Sequence, residues 1–336
     1  MTEQPARAAD GVASAAAKSA HLRRLELEIT IRLDGILSGD FLGANAGPGS
    51  EAAGARPYGA GDDARRIDWN LTARSLAPHV RTTEADRELQ TWIVVDRSPS
   101  MDFGTAACEK RDLAFSAAAA FGFLTARHGN RVGALVAGGA RVTRVGPAST
   151  RASLLAALSK LYDATRTDST PSGSVDVRRA LLELERTFTR RGQVVVISDF
   201  LDDHAWVAPM RRLAFRHQVV AVQTVDPREL VLPAIGIAAF VDPETGRRLD
   251  VQTNAAALRQ RYEDAARARH SAISQAIRRA GAEHLVLATD RGWLLDIVRF
   301  VAARRARRGR AAIRPQSEPA RSQLDLDAAA LERNNP

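Results

Sequence analysis

Two kinds of apolar spacing divide the chain. Between residues 21 and 39, Leu22, Leu25, Ile29, Leu33 and Ile36 recur three or four positions apart, which predicts an amphipathic helix stopped by Gly39. A glycine-rich stretch follows, "GANAGPGSEAAGARPYGAGDDARR", with no period until "RIDWNLTARS". The segment "PHVRTTEADREL" reads as an extended, exposed arm. From residue 89 the pattern changes. "LQTWIVVD" (89–96) and "QVVVISD" (193–199) are apolar runs, the signature of strands buried on both faces of a parallel sheet, and "HQVVAVQTVD" (217–226) reads as a further strand.

Between these runs lie helical patterns. "CEKRDLAFSAAAAFGFLTARHG" closes at Gly129, "STRASLLAALSKLY" opens at a Ser/Thr cap, and "SVDVRRALLELERTFTRRG" ends at Gly192. A further helix spans 204–216, and a long one runs from Asn254 as cap to Gly281 as stop. Two hairpins are predicted, "RVGALVAG" with "ARVTRVG", and "IAAFVDPETGRRLDVQ" turning at 243–246. The strand "EHLVLATD" and the helix "WLLDIVRFVAARRA" come last.

Alternating strands and helices with short connections specify an α/β fold with a doubly wound, mainly parallel sheet flanked by helices. The expected organisation is a disordered N-terminus (1–20), a small N-terminal module (21–88), one sheet domain (89–305), and a basic, disordered tail (306–336).

Composition changes this picture little. At 336 residues, 45% hydrophobic and 26% charged, the chain has the make-up of a folded protein. The net charge of +9 raises the question of nucleic acid. Eight arginines against four acids lie from residue 301 onward, so much of the excess sits in "RRARRGRAAIR". Interleaved aromatics are missing there, and nucleic acid is not the expected partner; the alternative function is that of a basic-tailed protein docking on nucleic acid or an acidic membrane surface. No stretch has the length and apolarity of a membrane span. The single cysteine, Cys108, suits a reducing cytoplasm; it reads as a small buried residue, although a thiolate would be favoured near a helix start. Lys18, Lys110 and Lys160 are the only lysines among 48 basic residues, a bias we read as genome composition.

The candidate chemistry lies at strand ends. In doubly wound sheets ligands bind outside the carboxyl ends of the strands, where strand order reverses. Asp96 and Asp199 end two strands, and the spacing of Ser98 and Ser100 lets both hydroxyls turn toward the Asp96 carboxylate. Oxygen donors without cysteine or histidine suit a hard cation such as Mg²⁺ or Mn²⁺. Spacing alone leaves open a second reading, in which these side chains bond the backbone of a turn. Enzymatic patterns are missing: "DRSPSMDFG" is neither a phosphate-binding loop nor a nucleophile elbow, and no dinucleotide fingerprint follows the first strand. The histidines show no metal-ligand spacing, and His204 is expected in the first turn of a helix.

Asp96-x-Ser98-x-Ser100 followed by Met101, together with "VVVISDF", resembles the von Willebrand factor A fold and its metal-ion-dependent adhesion site. Upstream, "RPYGAGDDARRIDWNLTAR" resembles the signature of the domain of unknown function 58 family, DUF-58. It is carried here by Tyr58, Gly61, Asp62, Asp63, Arg65, Ile67, Asp68 and Trp69, with Arg74 just after. The resemblance implies Asp96, Ser98 and Ser100 as first-loop metal ligands and Asp199 as the third-loop carboxylate. In the middle loop the family has a threonine where this chain has Val175, so Ser174 beside it, or Thr170 upstream, would have to substitute. The family further implies a non-catalytic adaptor or co-chaperone, working with a MoxR-type AAA+ ATPase and a client protein. For the upstream motif the expected role is structural: Asp62 or Asp63 as a cap, Ile67 and Trp69 packing the module on the sheet, and Asp68 pairing with Arg65 or Arg74.

Overall fold

The computed structural model describes residues 19–20, 22–32, 55–59, 63–75, 77–81, 90–126, 130–138, 142–166, 176–242 and 246–313. It falls into two units, residues 1–297 and 298–336. In the first unit the helix α1 (residues 22–32) buries Leu22, Leu25 and Ile29 on one face, as their spacing predicts. Leu33 and Ile36 lie outside the described residues. A short antiparallel pair follows, β1 (Ala55–Pro57) and β2 (His79–Arg81), around the helix α2 (Trp69–Ser75). The expected exposed arm is thus in part a strand. Val80 is buried because β2 has β1 to pair with and Ile67 bridges onto it. Residues 82–89 lie outside the described part.

The sheet domain alternates as predicted: β3 (Gln90–Asp96), α3 (Lys110–Ala126), β4 (Arg131–Ala137), β5 (Thr143–Ala148), α4 (Arg151–Arg166), α5 (Val177–Thr187), β6 (Gly192–Ser198), α6 (Val207–Arg216) and β7 (Gln218–Val225). The one-turn helix α7 (Pro227–Leu230), the hairpin β8 (Ile237–Val241) and β9 (Arg248–Gln252), α8 (Ala256–Arg279) and β10 (Glu283–Ala288) complete it. The six-stranded sheet has the order β10-β7-β6-β3-β4-β5, with β5 antiparallel at the edge and the other pairings parallel. Strand order therefore reverses between β3 and β6, the neighbours whose carboxyl ends carry Asp96 and Asp199.

Burial explains why the apolar runs became strands. Every residue of β3 after Gln90 is buried, because helices cover both faces of the sheet. One cluster joins Trp92, Val94, Val194, Val196 and Phe200 to Leu181, Leu184, Trp206, Met210, Ile273 and Ile277. At the first unit's N-terminal end, Arg151 of α4 holds Glu26 of α1 with two bonds of 2.6 and 2.8 Å, tying the module to the sheet domain.

Three local expectations change. The cap of α8 is Ala255, without a side-chain bond, because Asn254 turns its Oδ1 to the Gly236 amide and pins the hairpin. Gly281 does stop that helix, in a left-handed conformation (φ +79°) that glycine adopts without steric cost. His204 lies before α6 with φ +65°, so it belongs to the connecting turn and not to a helical first turn. The last helix, α9 (Trp293–Ile313), begins in the first unit and continues past the expected end at 306; its residues 298–313 are the described part of the second unit.

Candidate functional site

The first loop forms because β3 runs out of apolar residues at Asp96. Its Oδ1 accepts the Ser98 amide at 2.8 Å, an Asx turn that folds the chain back over the strand end. Pro99 then opens a 3₁₀ turn, Pro99–Asp102, whose Met101 is fully buried. This brings the hydroxyls of Ser98 and Ser100 to 3.0 Å from each other. Buried Arg97 donates to both oxygens of Asp102, at 2.9 and 3.0 Å, which locks the turn from behind. The turn-bonding and ligand-presenting readings thus describe one arrangement.

The neighbouring strand completes the floor. Ser198, which the sequence did not single out, donates to Asp96 Oδ2 at 2.5 Å and accepts the Phe200 amide at 2.9 Å. Asp199 accepts the Leu201 amide on Oδ1 at 3.2 Å, within a turn whose Phe200 is left-handed (φ +58°) and packed on Trp206. A non-glycine residue held there is costly, and the buried ring against Trp206 offsets it.

Asp199 meets a cation of the chain itself. Lys110, 0% exposed, donates to Asp199 Oδ2 at 2.7 Å and bonds Glu229 of α7. Burial opposes the ammonium, but Asp199 and Glu229 outweigh it and raise the lysine pKa above its ordinary value. Glu229 is fixed in turn by the Asp226 amide at 3.1 Å, in a capping box with Asp226. Fully buried Asp226 accepts the Thr105 amide and hydroxyl, the Arg228 amide and the Thr289 hydroxyl, which joins the ends of β7 and β10 to the loop after β3. Burial raises this carboxylate's pKa, yet those bonds win and hold it below the ordinary aspartate range. Lys110 is therefore no mere trace of composition. A third strand ending in aspartate, "HQVVAVQTVD", was the available signal for Asp226.

Asp96, Ser98 and Ser100 offer oxygen donors of the kind a hard cation takes. Burial and then the charge of nearby Asp199 push the Asp96 pKa up to about 7. Among the described residues no three His, Cys, Asp or Glu side chains converge as a metal cluster. A cation at Asp96 would thus depend on the hydroxyls of Ser98 and Ser100. Ser174, Val175 and Thr170 of the middle loop lie outside the described residues.

The upstream motif is partly corrected. Asp63 caps the turn Ala64–Arg66 through the Arg65 amide, as expected; Gly61 and Asp62 lie outside the described residues. The Asp68 carboxylate accepts the Asn70 and Leu71 amides and so caps α2. Trp69 is 69% exposed and does not pack the module on the sheet, because α2 is short and buries none of its residues. Tyr58 and Leu71 are exposed as well, Arg74 lies in the last turn of α2, and Ile67 is half-buried against β2. Cys108 is half-buried, and burial followed by Asp112, Asp226 and Glu109 raises its pKa, so the thiol and not the thiolate is favoured.

Next to the site, His284 of β10 bonds Gln223 at 3.1 Å, and Gln223 reaches the Asp199 carbonyl at 3.4 Å. Burial, then His270 and Arg278, lower the His284 pKa from 6.5 to about 4. Between these values the unfolded chain binds more protons than the folded one. Stability therefore falls as pH drops through that window. A ¹H–¹⁵N titration of the imidazole is expected to show it neutral at pH 5, and His284→Gln to flatten the acid limb of the unfolding curve.

A doubly wound sheet with an antiparallel edge strand and an Asp-x-Ser-x-Ser turn at its switch point is a von Willebrand factor A-like domain. The family model described as protein of unknown function DUF58 matches residues 54–272. An uncharacterized protein of Mycobacterium tuberculosis, Rv1480, is 48% identical over 294 residues, covering 85% of this chain and 90% of its own. Mb1516 of Mycobacterium bovis matches to the same extent. The chain belongs to the DUF58 family. Among solved structures it is similar to BatB from Bacteroides thetaiotaomicron, at 16% identity and a TM-score of 0.42 over 65% of this chain and 99% of that one. An aerotolerance-related membrane protein from Bacteroides fragilis is similar at 16% identity and a TM-score of 0.42, over 64% of this chain and 97% of that one. Among the described residues no helix is long and apolar enough to cross a membrane.

Proposed function

We propose that the protein is a non-catalytic adaptor that docks a protein partner at the crevice beside Asp96, working with a MoxR-type AAA+ ATPase on a client protein. The observation that carries this reading is the pairing of the Ser98 and Ser100 hydroxyls, 3.0 Å apart, beside the buried Asp96 whose Oδ1 accepts the Ser98 amide. Asp96, Ser98 and Ser100 would hold Mg²⁺ or Mn²⁺, and such an ion supplies an open coordination position for a partner's carboxylate. The chain's part is to fix the donors: the Asx turn orients Asp96, and Arg97 with Asp102 holds the serines over it.

Among the described residues the Ser98 and Ser100 hydroxyls bond each other and Ser198 bonds Asp96, so none has a histidine base. The lone Cys108 favours a cytoplasmic location. Co-purification of the tagged chain with its MoxR-type ATPase tests the reading. Recovery in Mg²⁺ that drops about tenfold or more with chelator, and likewise in Ser98→Ala/Ser100→Ala, is expected from losing a hard-cation site. Equal recovery under all conditions contradicts it.

A further inference from the structure

Lys110 is used neither by the predicted donor set nor by the turn that carries it. Fully buried lysines are rare unless paired, and this one is shared between two carboxylates from different elements, Asp199 after β6 and Glu229 in α7. Its position is enforced from both sides. The Lys110 amide bonds the Phe103 carbonyl at the start of α3, and Glu229 is held by the Asp226 amide. The ammonium has no route away from Asp199 that does not strip the buried Asp199 and the part-buried Glu229 of their counter-charge.

We propose that Lys110 is a positioning residue that reserves Asp199 for itself, so that this chain alone holds a divalent cation weakly, through Asp96, Ser98 and Ser100. The inference rests on the cation-assisted docking reading. An ammonium and a divalent ion that compete for one carboxylate repel each other, and with Lys110, Asp199 and Asp96 all buried that repulsion is little screened. Neutralising Asp199 from within the fold therefore lowers the affinity of the crevice for a free ion. What remains favours occupation when a partner adds a carboxylate of its own. Lys110 in this role sets the threshold for docking and touches neither the ion nor the partner.

The experiment is Mn²⁺ binding to the full chain, followed by the spectroscopic signal of free aqueous Mn²⁺. Lys110→Met, which keeps the stem and removes the charge, is expected to tighten binding by about 10- to 100-fold over wild type. Glu229→Gln, which leaves the ammonium to Asp199 alone, is expected to weaken it by roughly threefold or more. Glu109→Gln, an acid paired with Arg111, serves as the charge control and is expected to change little. If Lys110→Met fails to fold, the contrast between Glu229→Gln and Glu109→Gln decides. Unchanged affinity in Lys110→Met and Glu229→Gln, with binding lost in Asp96→Asn, overturns the inference and leaves the cation site standing. Absence of binding in every variant overturns both.

Discussion

Replacing Lys110 with alanine is expected to lower the free energy of unfolding by about 3–5 kcal/mol. The lysine side chain is 0% exposed, and its partner Asp199 is nearly so at 4%. Removing the ammonium leaves the buried Asp199 and the part-buried Glu229 without a counter-charge, and that desolvation cost, chiefly at Asp199, dominates the loss of two bonds. Neutralising both acids at once tests the cause. In Lys110→Met/Asp199→Asn/Glu229→Gln most of the lost stability is expected to return, measured by denaturant unfolding. If the triple variant is as unstable as Lys110→Ala, packing of the lysine stem and not charge explains the effect.

Asp226→Ala is the second large effect, on the order of 3–5 kcal/mol, because four donors lose one fully buried carboxylate. The Thr105 bonds join the loop after β3 to the end of β7, which no strand pairing connects, whereas Thr289 adds to the pairing of β7 with β10, so the loop after β3 is expected to loosen most. Hydrogen exchange at the Thr105 and Ala107 amides reports this directly. The sign of the pH effect follows from the lowered pKa. The stabilisation is fully present above the aspartate's ordinary value of 3.8 and is lost as pH falls through the lower folded value. Asp226→Asn is expected to remove that part of the acid transition.

Much of this fold was legible because its strands are buried on both faces. Unbroken runs such as "LQTWIVVD" and "QVVVISD" leave little choice of element, and their terminal aspartates mark the sheet's carboxyl edge. Asp96, Ser98 and Ser100 are close in sequence, so a local turn brings them together. Ser198, Lys110, Glu229 and Asp226 act across about a hundred residues, and no local spacing records such pairings. Lys110 was hardest to see because a lysine at a helix start usually reads as a solvated surface residue. Trp69 misled in the opposite sense: an aromatic in a family motif suggests packing, but a seven-residue helix carries it outward.

The docking role stands or falls with the ion at Asp96. The decisive measurement is calorimetric titration of Mg²⁺ and Mn²⁺ into chelator-treated protein, wild type against Asp96→Ala. Saturable binding that disappears in Asp96→Ala is the predicted result. Absence of binding in both proteins, or equal binding in both, contradicts it and leaves the Asp-x-Ser-x-Ser turn as a structural device alone.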